Sequence, residues 1–122
     1  MGEIATSDRQ ITLFCNPDTL KAKKTRAYAL AEGLPILEVD IVKTPPTGTQ
    51  IAELAAMLNM EIHELIIAEH PSLHSSGALP YDLSEEDWIT MIRSNPEILK
   101  QPIAIRGKTA ILVDTPSDII RI

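Results

Sequence analysis

The chain has 122 residues, of which 44% are hydrophobic, 23% charged and only 3% aromatic, and its formal net charge is −6. This length fits one domain with an aliphatic core, while the negative charge and the shortage of flat side chains argue against direct nucleic-acid binding. One cysteine excludes an internal disulfide framework, and no segment reaches the roughly 20 apolar residues that span a bilayer, so we expect a cytoplasmic protein without a membrane partner.

The first forty residues predict a strand, a helix and a second strand. Ile11–Cys15 is an apolar run that stops at Asn16-Pro17, and Pro35–Val42 is a second run with β-branched residues. Between them, over residues 18–32, apolar side chains recur at roughly helical spacing, and Gly33 can end the helix with a positive φ. Those apolar side chains are Leu20, Ala27, Leu30 and Ala31.

The middle of the chain predicts helices. Apolar residues at i, i+3, i+4 and i+7 begin at Ile51 and start again after Asn59, which indicates two short helices. A loop without periodicity follows over Pro71–Tyr81. The next helix is predicted to begin at Ser84, with Asp87 at its third position and Leu83 packed on Trp88, and to stop before Asn95-Pro96.

The last third predicts a β-hairpin and a final helix. Pro102–Ile105 and Thr109–Val113 are short strands joined across Gly107. Asp114 or Thr115 can cap a last helix that begins at Pro116. The order of elements is therefore βαβ, helices, ββα, which indicates an α/β fold.

Four short stretches in this order resemble the glutaredoxin-type arsenate reductases and their Spx-type regulator relatives. They are Asn16-Pro17, Lys23-Lys24, Gln101–Ile105 and Thr115–Asp118. The resemblance covers about residues 10–122, behind a tail of residues 1–9. It implies a single thioredoxin-like domain with a mixed four-stranded sheet and a helical insertion at about residues 47–97.

The same resemblance implies that the family's chemistry is missing. The position of the catalytic cysteine is Thr19, and Ala22 stands where Spx-type relatives often have a second cysteine. The three arginines that hold the oxyanion in the enzymes align with Ile67, Gln101 and Thr115. Because a hydroxyl cannot enter a thiol redox cycle, we expect no catalytic residue here.

The residues that remain at the implied site are candidates for binding. They are Thr19, Lys23, Gln101 and Pro102, of which Pro102 matches the cis-proline of the family. The basic run from Lys21 to Arg26 either binds an anion beside free helix N–H groups or is a solvated helix face. No metal site is expected: His70 and His74 are four residues apart, but Pro71 between them disfavours the helix that would bring their side chains together.

These observations leave three functions open. The preferred one is an arsenate reductase-like protein that has lost reductase activity and serves as a binding or regulatory module for a protein partner or a small anionic ligand, without a cofactor. The first alternative is an oxidoreductase that uses Cys15 with glutathione, although a cysteine at the end of a buried strand is usually inert. The second is an Spx-type transcriptional regulator that binds RNA polymerase.

Overall fold

The structure, a computed structural model, describes residues 9–67 and 84–122. These residues form four strands, three α-helices and three 3-10 turns, and the strands and helices follow the order that the sequence predicts up to β4. In chain order they are β1 (Ile11–Cys15), α1 (Leu20–Ala31), β2 (Ile36–Asp40), α2 (Gly48–Leu58), a 3-10 turn (Ile62–Leu65), α3 (Glu85–Ser94), a 3-10 turn (Pro96–Ile98), β3 (Ile103–Arg106), β4 (Thr109–Leu112) and a last 3-10 turn (Pro116–Arg121).

The four strands form one mixed sheet in the order β2-β1-β3-β4. β1 is parallel to β2 and antiparallel to β3, and β3 and β4 form the predicted hairpin. Phe14, near the end of β1, lies opposite Ile103, the first residue of β3. The loop that leaves β1 therefore meets the loop that enters β3 at one end of the sheet.

The sheet separates two hydrophobic cores of different character. On one face, Phe14, Ile103 and Ile105 pack with large aliphatic residues of α2, α3 and the first two 3-10 turns. On the other face, Leu13 and Cys15 pack with small residues of α1 and with the last 3-10 turn. The small residues of this second core, which bring α1 close to the sheet, are Ala22, Ala29 and Ala104.

Local sequence signals fix several of the helix and strand ends. The Ser84 hydroxyl accepts from the Asp87 N–H at 3.2 Å, and the Asp87 carboxylate accepts from the Ser84 N–H at 3.1 Å, which confirms the predicted cap of α3. Gly33 has φ +71° after α1, and Gly107 has φ +60° in the hairpin, as their positions predict. The predicted tail, the loop Pro71–Tyr81, Leu83, His70 and His74 lie, wholly or almost wholly, outside the described residues.

Three predictions need correction. The second of the two short middle helices is only the 3-10 turn Ile62–Leu65, because the next residue, Ile66, pairs with Leu99 in an antiparallel bridge. The last helix is a 3-10 turn as well. The apolar residues whose spacing predicts α1 face solvent: Leu20 is 66% and Leu30 67% exposed. The buried face of α1 consists instead of Ala22, Thr25 and Ala29.

The central position of β3 predicts a large effect of truncating its first residue. Ile103 is fully buried between β1 and β4, so Ile103→Ala leaves a cavity and should lower the free energy of unfolding by about 2–5 kcal/mol. Leu37, on the edge strand β2, is 46% exposed, and Leu37→Ala should cost less than about 1 kcal/mol. Urea unfolding of both variants measures the difference, and equal losses would contradict this view of the core.

Candidate functional site

The loop between β1 and α1 is organised by Asn16. Its side-chain Oδ1 accepts from the Asp18 N–H at 3.1 Å, and its backbone carbonyl accepts from both the N–H (3.1 Å) and the hydroxyl (2.8 Å) of Thr19. The Thr19 hydroxyl in turn accepts from the Ala22 N–H at 3.3 Å, so Thr19 is the N-cap of α1. Both hydrogen-bonding roles of this hydroxyl are thus used locally.

Gln101 joins this loop to the other side of the site. Its side-chain Oε1 accepts a hydrogen bond from the backbone N–H of Asn16, and its Nε2 donates to the carbonyl of Leu99 at 3.3 Å. The Gln101-Pro102 peptide bond is cis, which matches the family feature implied for Pro102. Pro102 is buried, and its carbonyl accepts from the Val113 N–H at 2.9 Å.

A short backbone pairing outside the sheet builds the second wall. The Ile67 N–H donates to the carbonyl of Ile98, and the Lys100 N–H donates to the carbonyl of Leu65, both at 2.7 Å. These bonds flank the bridge between Ile66 and Leu99. The pairing places Ile67 beside the segment that leads to Gln101.

A cleft opens between these two walls. One lobe has a volume of about 420 Å³, and a neighbouring lobe has about 450 Å³. Lys21, Ile67 and Gln101 line both lobes. The first lobe is also lined by Asn16, Thr19 and Glu97, and the second by Lys100, Leu112, Val113 and Asp114. The cleft therefore combines apolar surface with two ammonium groups and two carboxylates, and its described lining contains no thiol and no imidazole.

The structure brings together only part of the predicted site. Thr19 and Gln101 line the cleft, as does Ile67, the aligned position of a family arginine. Thr115 and Lys23 are not among the described lining residues, and Pro102 lies buried directly behind Gln101. From the basic run, Lys21 lines the cleft, whereas Arg26 forms an ion pair with Glu38 at 3.3 Å.

Lys100 is a cleft residue that sequence reasoning missed. It follows the apolar pair Ile98 and Leu99, and nothing in its local pattern distinguishes it from other surface lysines. Its position depends on the hydrogen bond from its N–H to Leu65, which is far away in the sequence. The one sequence signal for this region is the family resemblance, which makes the neighbouring residue, Gln101, a site candidate.

Cys15, the single thiol of the chain, is fully buried at the end of β1. Its Sγ–H donates to Glu38 Oε2 at 3.8 Å, and Arg26 neutralises part of that carboxylate's charge. Burial, followed by the negative charge of Glu38, raises the pKa of Cys15 from 9.0 to about 12. At neutral pH the side chain is therefore a protonated thiol and a poor nucleophile.

The described residues form neither a metal site nor a membrane-spanning helix. Among residues 9–67 and 84–122, no three His, Cys, Asp or Glu side chains come together in a way that could hold a metal ion. In the same part of the chain, no helix is both long and apolar enough to cross a membrane.

Solved structures with the same architecture identify the fold. The chain superposes on the arsenate reductase of Vibrio cholerae with a TM-score of 0.81 and 17% identity, covering 95% of this chain and 99% of that one. A Yersinia pestis protein whose name suggests an arsenate reductase gives a TM-score of 0.85 at 20% identity, over 93% of this chain and 100% of that one. The chain thus has the thioredoxin-like fold of the arsenate reductases.

Sequence comparison finds similarity to transcriptional regulators named Spx. The chain is similar to the global transcriptional regulator Spx 2 of Lactococcus lactis, with 24% identity over 98 residues, 80% of this chain and 74% of the relative. It is also similar to the global transcriptional regulator Spx 1 of Bacillus cereus, with 26% identity over 98 residues, 80% of this chain and 75% of the relative. No protein-family profile matches the chain.

The hydrogen bond between Asn16 and Gln101 predicts that two substitutions of Gln101 lower the free energy of unfolding by different amounts. Gln101→Arg removes the acceptor for the Asn16 N–H, because a guanidinium only donates, and should cost about 1–3 kcal/mol of unfolding free energy. Gln101→Glu keeps an acceptor and loses only the bond to Leu99, so it should cost about 0.5–1.5 kcal/mol. Urea unfolding near neutral pH compares them. An arginine variant as stable as the glutamate variant would refute the role given to this amide.

Cys15 predicts a loss of stability at high pH. Its pKa is about 12 in the folded protein against 9.0 normally, so above pH 9 the unfolded chain releases a proton that the folded chain retains. The stabilisation is complete below pH 9 and is lost as the pH rises toward 12. The difference in unfolding free energy between wild type and Cys15→Ala should therefore fall by up to about 1.4 kcal/mol per pH unit in that window. A difference that stays constant from about pH 8 to pH 11 would contradict the prediction.

Proposed function

We propose that this chain is a cytoplasmic arsenate reductase-like protein that has lost thiol-based reduction and acts by binding. The observation that supports this most directly is the position and hydrogen bonding of Thr19. It stands at the start of α1, where the resemblance places the catalytic cysteine, and its hydroxyl caps the helix. A hydroxyl there stabilises the helix end, but it cannot form and exchange disulfides.

The surroundings of Thr19 support the same conclusion. Ile67 offers an apolar side chain where the resemblance implies an arginine, and the amide of Gln101 is engaged by the backbone of Asn16 and Leu99. An arsenate or phosphate-like oxyanion would therefore lack the bidentate donors that guanidinium groups provide. The remaining cations, Lys21 and Lys100, are point charges on flexible stems.

The lining of the cleft indicates what it can bind. Ile67, Leu112 and Val113 supply apolar surface, and Lys21 and Lys100 supply positive charge. A small anion with an apolar body, or an acidic segment of a partner protein, would satisfy both features. Glu97 and Asp114, which also line the cleft, would disfavour a ligand with several negative charges.

Arsenate reduction with glutathione and glutaredoxin tests the loss of activity. We expect no turnover above the blank for the wild type. Thr19→Cys should create a thiol whose pKa lies below the ordinary value, because it stands at a helix N-terminus, and iodoacetamide should label it quickly. Since no arginine surrounds it at Ile67 or Gln101, arsenate turnover should still stay at background.

Thr19→Ser is the matched control for that experiment, because it keeps the cap without adding sulfur. Efficient arsenate turnover by the wild type would refute the proposal. Efficient turnover by Thr19→Cys alone would show that the cleft still holds the oxyanion.

A second candidate is an Spx-type regulator that contacts RNA polymerase. The curated relatives named above favour it, since both are called global transcriptional regulators. Thr19 and Ala22 stand where that group often has its two redox cysteines, so such a regulator would act without a local disulfide switch. Direct binding of the purified protein to RNA polymerase from the source organism tests this candidate, and the absence of binding would remove it.

The alternative that uses Cys15 with glutathione is less favoured. The thiol is fully buried and its pKa is raised to about 12, so its thiolate is scarce at neutral pH. Iodoacetamide should label Cys15 in the native protein only as fast as the protein unfolds. Fast native labelling would restore this alternative.

A further inference from the structure

The side of α1 that points away from the sheet carries a stripe of apolar residues, whereas the exposed side of a surface helix is normally polar. The buried residues Ala22, Thr25 and Ala29 define the inward side of the helix. At 3.6 residues per turn, Leu20, Ala27 and Ala31 project from the opposite side. Lys23 and Lys24 flank this stripe, one on each side, and Leu30 lies next to Lys23. We call this set the outward face: Leu20, Lys23, Lys24, Ala27, Leu30 and Ala31.

All six residues of the outward face are exposed. Leu20 is 66% and Leu30 67% exposed, the two largest values among the exposed large hydrophobic residues of the described chain. None of the six is among the described residues that line the cleft. The outward face is therefore a surface separate from the candidate site.

The charge of α1 is opposite to that of the rest of the chain. The helix holds Lys21, Lys23, Lys24 and Arg26, four of the 11 basic residues, and none of the 17 acidic residues. Arg26 is paired with Glu38 and Lys21 lines the cleft, which leaves Lys23 and Lys24 as the positive charge next to the apolar stripe. A partner that matches this face must be apolar along a line and acidic on both sides of it.

We propose that the outward face of α1 docks an amphipathic helix of another protein, one whose apolar stripe is flanked by acidic residues. Ala27 and Ala31 are one turn apart and small, so a second helix can approach to the roughly 8–10 Å between axes that helix packing requires. Leu20 and Leu30 then fill the spaces at the two ends of the contact. Lys23 contacts carboxylates on one side of the partner helix, and Lys24 contacts carboxylates on its other side.

Other occupants fit less well. A second copy packed through the same face would set the lysines of one copy against those of the other. An anionic bilayer or a nucleic acid extends beyond one helix and would meet the acidic remainder of a chain whose net charge is −6. A helical protein segment can be confined to the face itself.

Site-specific photo-crosslinking in the source cells tests the proposal. The photoreactive amino acid p-benzoylphenylalanine replaces Leu30, a large and 67% exposed residue of the outward face, or, as the control, Lys108, which is exposed in the hairpin turn. The crosslinked product is isolated and its attachment site is sequenced. We expect an acidic amphipathic helix of another protein to be attached at position 30 and not at position 108.

Charge reversal supplies the second measurement. K23E/K24E should reduce the crosslinking yield by about tenfold, because two attractions become repulsions. K43E/K108E makes the same change in net charge at exposed positions elsewhere and should leave the yield unchanged. Lys21→Glu, a change in the cleft, should also leave it unchanged, which separates this surface from the proposed binding site.

Five outcomes would overturn the proposal. The first four are a lipid, a nucleic acid or a second copy of this chain as the attached molecule, and a yield at position 30 no higher than at position 108. A yield that falls equally in K23E/K24E and K43E/K108E would also overturn it, because the attraction would then be due to net charge alone. Circular dichroism confirms that each variant is folded.

Discussion

The bond from the Asn16 N–H to the side chain of Gln101 determines the shape of the candidate site. It connects the end of β1 with the segment that enters β3, which no other side-chain bond among the described residues does at this end of the sheet. The same amide holds the Leu99 carbonyl, and Leu99 pairs with Ile66. Through these contacts one neutral side chain fixes the start of α1, the cis-proline segment and the wall that carries Ile67.

This structural role limits the chemistry of the cleft. The bond needs an acceptor, and an amide has one while a guanidinium does not. A chain that uses the Gln101 position to hold its backbone cannot use the same side chain to hold an oxyanion. Positive charge at the cleft comes instead from the side chains of Lys21, on α1, and Lys100, in the segment just before Gln101. Hydrogen bonds thus fix the backbone of the site, whereas its positive charges lie at the ends of long lysine side chains.

The sequence predicts the elements that depend on local chemistry. The apolar run of β1, the cap at Ser84 and the positive φ values at Gly33 and Gly107 follow from neighbouring residues alone. The sequence does not predict the features that depend on contacts between residues far apart in the chain. Ile66 leaves a helical pattern because Leu99 offers it a bridge, and α1 buries Ala22 and Ala29 because small side chains let it approach the sheet. The Gln101 contact joins residues 85 positions apart, so only the resemblance marks that residue.

The strand order also has a consequence for how the protein is made. β1 lies inside the sheet, but its antiparallel partner β3 belongs to the distant half of the chain, where Ala104 faces Leu13. While the ribosome is still synthesising the middle helices, one edge of β1 has no partner and exposes its N–H and C=O groups. The N-terminal βαβ unit therefore cannot complete the sheet as it emerges, and this edge of β1 stays open to pairing with other chains until the hairpin of β3 and β4 has been synthesised.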